Sequence, residues 1–184
     1  HLLMDIVRNH KEKFPFPSET SFGLRAYLNH KIRAATIYAL HKGKFKKELR
    51  INKKWQGLSE IGSQTQQDFI NTMLNNSISL CPRGSGIDSV RFLESCYYNR
   101  VPVIITDHDY YLFGEDHYDM SFCYRVHKVD MTPEYLLEEL NKIYNTPPEA
   151  LEKRANQAKE YFETIVREYF EDPTLYFFNW LEKK

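Results

Sequence analysis

Cysteine is scarce in this 184-residue chain: Cys81, Cys96 and Cys123 form no CxxC pair and have no metal-ligand spacing with histidine. A disulfide-scaffolded module and a zinc module are both disfavoured. Glycine at seven residues and proline at eight are too few for a collagen-like or low-complexity chain. An excess of either charge is also missing, since 25 Lys plus Arg balance 25 Asp plus Glu. The whole-chain charge therefore gives no reason to expect nucleic acid or an anionic membrane as partner. No run approaches the ~20 apolar residues of a membrane span, and residues 1–30 lack the apolar segment of a signal peptide. A reducing, cytosolic setting is the default expectation. The chain opens on His1 rather than Met, so we expect an excised domain or a fragment whose parent's targeting stays open.

What is present is a globular composition, 42% hydrophobic, 15% aromatic and 27% charged, with a length that suits one domain. Residues 1–20, broken by Phe14-Pro15-Phe16-Pro17, read as a lead-in segment or linker, and residues 21–184 as a single domain with C-terminal helices. Ser21 to Leu28 suits a short strand. Ile32, Ala35, Thr36, Ala39 and Leu40 recur at helical spacing, and Gly43 closes that helix. Phe45, Lys47, Leu49 and Ile51 alternate with polar residues, which favours a strand over 45–52. Gln56 to Ser63 reads as loop, and Thr65 to Asn76 as a helix with Phe69, Ile70, Met73 and Leu74 inward.

The centre is the clearest part. Ile78 to Cys81 is a short strand, Pro82 to Ile87 a loop, Asp88 to Tyr98 a helix, and Val101 to Thr106 a strand rich in β-branched residues. Strand, glycine loop, helix and strand in so short a span require a crossover between parallel strands. The loop then lies at their carboxyl edge, where open α/β sheets bind ligands. A further strand is expected at Phe122 to Val126, then helices at Pro133 to Tyr144 and Pro147 to Phe170. The second carries Leu151, Ala155, Ala158, Phe162, Ile165 and Tyr169 on one face. Asp172-Pro173 ends it, and Leu175 to Leu181 forms an aromatic closing helix. No internal repeat is present.

The loop Cys81-Pro82-Arg83-Gly84-Ser85-Gly86-Ile87-Asp88 is neither a Walker loop nor a GxGxxG fingerprint, because the lysine and the third glycine are missing. Its physics nevertheless suits a diphosphate. Gly84 and Gly86 allow close backbone approach, the following helix presents unpaired N–H groups from about Ser89, and Arg83 and Arg91 supply charge and fork-shaped donors. Asp88 would repel phosphate, so it is assigned to the N-cap, accepting from the N–H of Val90 or Arg91. Glu94, one turn after Arg91, can accept from both hydroxyls of a ribose. The plainer reading is a surface Arg91–Glu94 ion pair, worth well under ~1 kcal/mol, beside a glycine-shaped turn. The residues alone leave both open.

Ser79 to Asp107 closely resembles the nucleotide-sugar half of exostosin-like glycosyltransferases, family 47 and its bacterial relatives. The shared core is Pro-Arg-Gly-x-Gly-x-Asp-Ser/Thr-x-Arg-x-x-Glu, followed by a turn, Ile-Pro-Val-Ile and an acidic residue; here it reads Pro82 to Glu94, then Val101 to Asp107. The likeness is strong over this stretch and looser from Thr65 to about Phe170. The resemblance implies an α/β, Rossmann-like parallel sheet flanked by helices, the C-terminal donor-binding half of a GT-B glycosyltransferase. It also implies that Arg83, Gly84, Ser85, Gly86, Ser89 and Arg91 surround the donor diphosphate, that Glu94 holds the ribose, and that Thr106 and Asp107 lie near the donor sugar. Arg83 and Arg91 would stabilise the leaving group. Ser95 and Asn99 stand where relatives usually carry Ala and Gly, and Asn tolerates the left-handed turn conformation.

The implied reaction is transfer of a hexosyl or pentosyl group from a nucleoside diphosphate sugar, expected to be UDP-linked, to a glycan hydroxyl in polysaccharide biosynthesis. The implied partners are the nucleotide sugar, a glycan acceptor and an N-terminal acceptor domain or partner subunit. No cofactor, metal or nucleic acid is expected, and no membrane-spanning segment. A non-catalytic nucleotide- or glycan-binding module of the same fold is the alternative. The compartment would be the cytoplasm or membrane periphery in a bacterium, and the Golgi lumen for a eukaryotic fragment. Asp107, His108, Asp109, Glu115, Asp116, His117 and Asp119 could ligate a divalent ion, but a polar active-site loop is the simpler reading. Lys42, Lys44, Lys46, Lys47, Arg50, Lys53 and Lys54 form a basic run that reads first as a solvated face rather than a surface for anionic glycan, lipid or RNA. Tyr176, Phe177, Phe178 and Trp180 read as core, with a partner domain as the other candidate to cover them.

Overall fold

The computed structural model describes residues 21–48, 63–83, 89–108, 112–116 and 118–172. The expectations for residues 1–20, for 49–62, for the glycine loop 84–88 and for the closing helix 175–181 lie outside these residues.

Three parallel strands, β1 (Ile78–Pro82), β2 (Val101–Thr106) and β3 (Tyr124–His127), form a sheet in the order β1-β2-β3. Every residue of β2 is buried, as a central parallel strand covered on both faces requires. Period-two geometry divides its side chains. Ile104 joins Cys81, Phe92, Cys96, Phe122, Ala158 and Tyr161 in one core, while Val103 and Ile105 join Ile32, Ala39, Val126, Leu136 and Leu140 in the other. The first core is closed by α3 (Val90–Tyr97) and α5 (Pro148–Tyr161), the second by α1 (Ser21–Lys42) and α4 (Pro133–Tyr144). The chain is thus α/β with a parallel sheet between helical layers, a Rossmann-like arrangement. Another helix, α2 (Ser63–Leu74), precedes β1. Among the described residues no helix is long and apolar enough to cross a membrane.

Several elements differ from expectation. Ser21 to Leu28 is the first part of α1 and not a strand. The stretch contains no β-branched residue, and Leu24, Ala26 and Leu28 favour helix. Residues 44–48 are irregular and not part of a strand, because Phe45 turns back over Gly43 and meets Tyr144 edge-on at 5.3 Å. A Cβ on Gly43 would lie 1.9 Å from the Phe45 ring, so any other residue there would push the ring from this position. Leu74 is half exposed where an inward position was expected, since Met73 takes the buried phase at the end of α2. The third strand starts at Tyr124, later than Phe122. Asp119 accepts from Ser121 N at 2.8 Å and winds Met120–Phe122 into a 3₁₀ turn first.

The long C-terminal helix carries a π turn over Phe162–Val166 before α6 (Arg167–Glu171). The wider turn rotates the following residues backward, so Tyr161, Ile165 and Val166 are buried while Tyr169 is partly exposed. The face expected from 3.6 periodicity holds through Ala155, Ala158, Phe162 and Ile165, and Tyr169, beyond the π turn, leaves it. Tyr161 reaches across to donate to Phe113 O at 2.8 Å, fixing the loop that follows β2.

The α3 to β2 turn is tight, and Asn99 adopts φ 58°, the left-handed conformation. Asn99→Gly should leave urea-unfolding stability nearly unchanged. Asn99→Val should lower it by about 1–2 kcal/mol, because a β-branched side chain clashes there.

Candidate functional site

Parallel strands present their carboxyl ends together, and the crossover places the residues after β1 and β2 side by side. Pro82 pairs with Ile105, and Arg83 N extends the ladder by donating to Ile105 O at 3.0 Å. Arg83 and Asp107 therefore face each other at the sheet edge. The Arg83 Nε contacts Asp107 Oδ1, and Nη2 donates to Oδ2 at 3.3 Å. The two side chains are only 5% and 7% exposed, so this is a two-point buried ion pair. Thr106, itself buried, accepts from His108 N and donates to His108 O, both at 3.1 Å. His108 is half exposed, with Nε2 3.9 Å from Asp107 Oδ1.

A second group gathers on α3. Its helix starts at Val90, so the N-cap position falls to Ser89 and not to the expected Asp88, and Ser89 makes no side-chain cap bond. Among the described residues no side chain caps the leading turn. Arg91 lies in that turn, with Nη1 3.1 Å from Glu94 Oε2, at 38% and 36% exposure. Its guanidinium lies 4.3 Å from the centroid of the Phe69 ring, and Nη1 is 4.0 Å from Met73 Sδ, both on α2. Burial pushes the Glu94 carboxyl above its usual range, and Arg91 opposes that shift. Ser95, in place of the usual Ala, donates to Arg91 O at 2.5 Å and lies 3.6 Å from Cys81 Sγ, so its buried hydroxyl is satisfied.

The predicted site residues thus fall into two groups. Arg83, Thr106 and Asp107 come together at the strand ends, while Ser89, Arg91 and Glu94 share the first turns of α3; Gly84, Ser85 and Gly86 lie outside the described residues. Phe69 and Met73, read from the sequence only as inward helix residues, prove to be neighbours of Arg91. Nothing local signals this, because a loop and a strand separate them along the chain.

The other candidates have separate partners. Glu115 pairs with Arg125 at 2.6 Å and accepts from Leu112 N at 2.8 Å, while Asp119 turns onto Ser121. Among the described residues no group of three His, Cys, Asp or Glu side chains could hold a metal ion. An open depression of about 480 Å³ lined by Glu115, Tyr118, Asp119 and Arg125 shares no residue with either group. Burial pushes the Cys81 thiol up to about 12, and Cys96 and Cys123 are raised by the same cause, so none is a ready nucleophile. In the basic run, Lys47 caps the carbonyls of Leu40 and Gly43 and Lys42 lies over the Tyr38 ring.

The buried pair generates a stability prediction. Arg83→Ala or Asp107→Ala should each lower urea-unfolding stability by about 3–5 kcal/mol, because the remaining charge is buried unpaired. The double variant Arg83→Met with Asp107→Leu should recover most of that loss. Single-variant losses that simply add would refute the coupling.

A search of curated proteins and a search of solved structures return no significant match. A family model describing the RXYLT1 C-terminal domain, from a xylosyltransferase family, matches residues 14–168. That span takes in both residue groups, the whole sheet and the helices on either side. The chain therefore belongs to the RXYLT1 C-terminal domain family, a family of glycosyltransferases.

Proposed function

We propose that this domain binds a nucleoside diphosphate sugar as the C-terminal half of a two-domain GT-B enzyme related to the exostosin-like glycosyltransferases of family 47. The donor is taken to be UDP-linked, and the family's xylosyltransferase character makes xylose the sugar favoured within the pentosyl class. The observation that carries this reading is the Arg91–Glu94 pair, a cation and a carboxylate one turn apart at the start of α3. A helix start beside a guanidinium suits a diphosphate, and a carboxylate one turn on suits the vicinal hydroxyls of a ribose.

In the proposed reaction an acceptor hydroxyl attacks the anomeric carbon, and the bond from that carbon to the diphosphate oxygen breaks. Its electron pair stays on the diphosphate. Arg91 and the α3 N-terminus then stabilise the added negative charge. Arg83 is held by Asp107 and buried, so its part is to brace the two strand ends beside the donor. The hydroxyl proton passes to a base on the acceptor-binding half, which also sets the position of the attacking oxygen.

Calorimetric titration with UDP tests the reading. Arg91→Ala should weaken UDP by about 10- to 100-fold, the equivalent of a charge-assisted hydrogen bond of ~1.5–3 kcal/mol. Unchanged affinity would refute it. Glu94 tests the ribose contact and also has a stability signature. Its carboxyl is raised in the folded chain, so the folded state keeps that proton to higher pH than the unfolded state, and stability falls as pH rises through the carboxyl range. Glu94→Gln should therefore leave the thermal midpoint at pH 7 equal or higher while weakening UDP more than 2′-deoxy-UDP. Equal losses for the two ligands would favour a plain surface ion pair.

A further inference from the structure

Arg83 and Arg91 are held in chemically opposite ways. Asp107 faces Arg83 at two points, Nε and Nη2, in a buried setting, which compensates its charge. Arg91 is held between a carboxylate on its own helix and an aromatic ring on another. The Phe69 face, at 4.3 Å, attracts the guanidinium through the ring quadrupole without accepting any of its five N–H bonds in the plane. Glu94 touches Nη1 at 3.1 Å and Met73 Sδ lies 4.0 Å from the same atom. Phe69 and Met73 are four residues apart on α2 and so lie on one face. The ring has a support of its own, because Tyr98, at the C-cap of α3, meets it edge-on with centroids 6.1 Å apart. The α2 face thereby spans from the first turn of α3 to its last.

We propose that Phe69, supported by Met73, is a positioning residue for nucleotide binding: it holds the Arg91 guanidinium flat and in place while leaving its charge and outward N–H donors to the diphosphate. This rests on the reading that Arg91 meets the donor diphosphate. A free arginine side chain loses rotamer entropy when a ligand immobilises it, and the ring removes part of that loss before the ligand arrives. A second carboxylate in the place of Phe69 would also fix the side chain, but together with Glu94 it would overcompensate the charge, whereas the ring adds no negative charge.

Calorimetric titration of the full chain with UDP, in a double-mutant cycle, provides the test. Phe69→Leu should weaken UDP about three- to fivefold and Phe69→Tyr less than about twofold. In an Arg91→Ala background Phe69→Leu should have no further effect, because the ring acts through the guanidinium. A direct readout accompanies the cycle: the Arg91 side-chain protons should show an upfield ring-current shift in the wild-type NMR spectrum that Phe69→Leu abolishes. Additive losses in the cycle would overturn the proposal, as would unchanged UDP affinity in Phe69→Leu or the absence of the ring-current shift in the wild type. A wild-type chain that fails to bind UDP would overturn the underlying reading and this one with it. Wild-type binding with an additive cycle would overturn this one alone.

Discussion

The double-sided burial of β2 is the constraint on which the rest of the structure depends. A central parallel strand has no solvent-facing side, so each face demands its own helical layer, and each neighbouring strand demands a crossover long enough to return in the same direction. The α3 crossover answers the second demand on one side, and the stretch carrying the 3₁₀ turn Met120–Phe122 answers it on the other. A consequence follows at the strand ends. All three strands finish at one edge, and backbone groups that leave the ladder there bring Arg83, Thr106, Asp107 and His108 within a few ångströms of one another.

The two arginines of the glycine-loop motif divide the work expected of them. A buried guanidinium facing a buried carboxylate is a brace, since its charge is cancelled and its removal would leave an orphan. A half-exposed guanidinium on an aromatic face keeps its field and its donors. The same residue type, eight positions along the chain, is thus turned into a structural tie at the sheet edge and a charged contact at a helix start. The difference lies in the partner: an acidic strand end for Arg83, the apolar side of a preceding helix for Arg91. In the proposed reading both groups lie around one donor, and the C-terminal helix closes the same core as α3. Tyr161, the last residue of α5, ties the loop after β2 to the C-terminal helix.

Much of this fold was legible in the sequence where local physics is strong. The β-branched run Val101 to Thr106 allowed only a buried strand, Pro133 marked the start of α4, and the Pro82 to Glu94 motif located the crossover that builds the edge. Legibility failed where local signals were weak or tertiary contacts overrode them. Alternation over 45–52 suggested a strand, but within the described part, 45–48, Phe45 found Tyr144, nearly a hundred residues away, and folded back. The 3.6-residue stripe through Phe162 and Tyr169 ignored the π turn, which packing against the first core sustains.

For the candidate site the division is similar. The strand-loop-helix-strand order placed Arg83 at the carboxyl edge of the sheet and one helical turn placed Arg91 beside Glu94, because a strand end and a helix turn are local geometries; Thr106 and Asp107 were named by the family resemblance. Which arginine keeps its charge was decided only in three dimensions. Asp107 reaches Arg83 through the register of two parallel strands, and Phe69 reaches Arg91 by the docking of α2 against α3, neither of which any short stretch of sequence encodes. Sequence by itself determined the order of elements and the chemistry available at the edge. Tertiary packing decided how that chemistry is partnered, because the strength and sign of an electrostatic contact depend on burial and distance, and both are properties of the assembled fold.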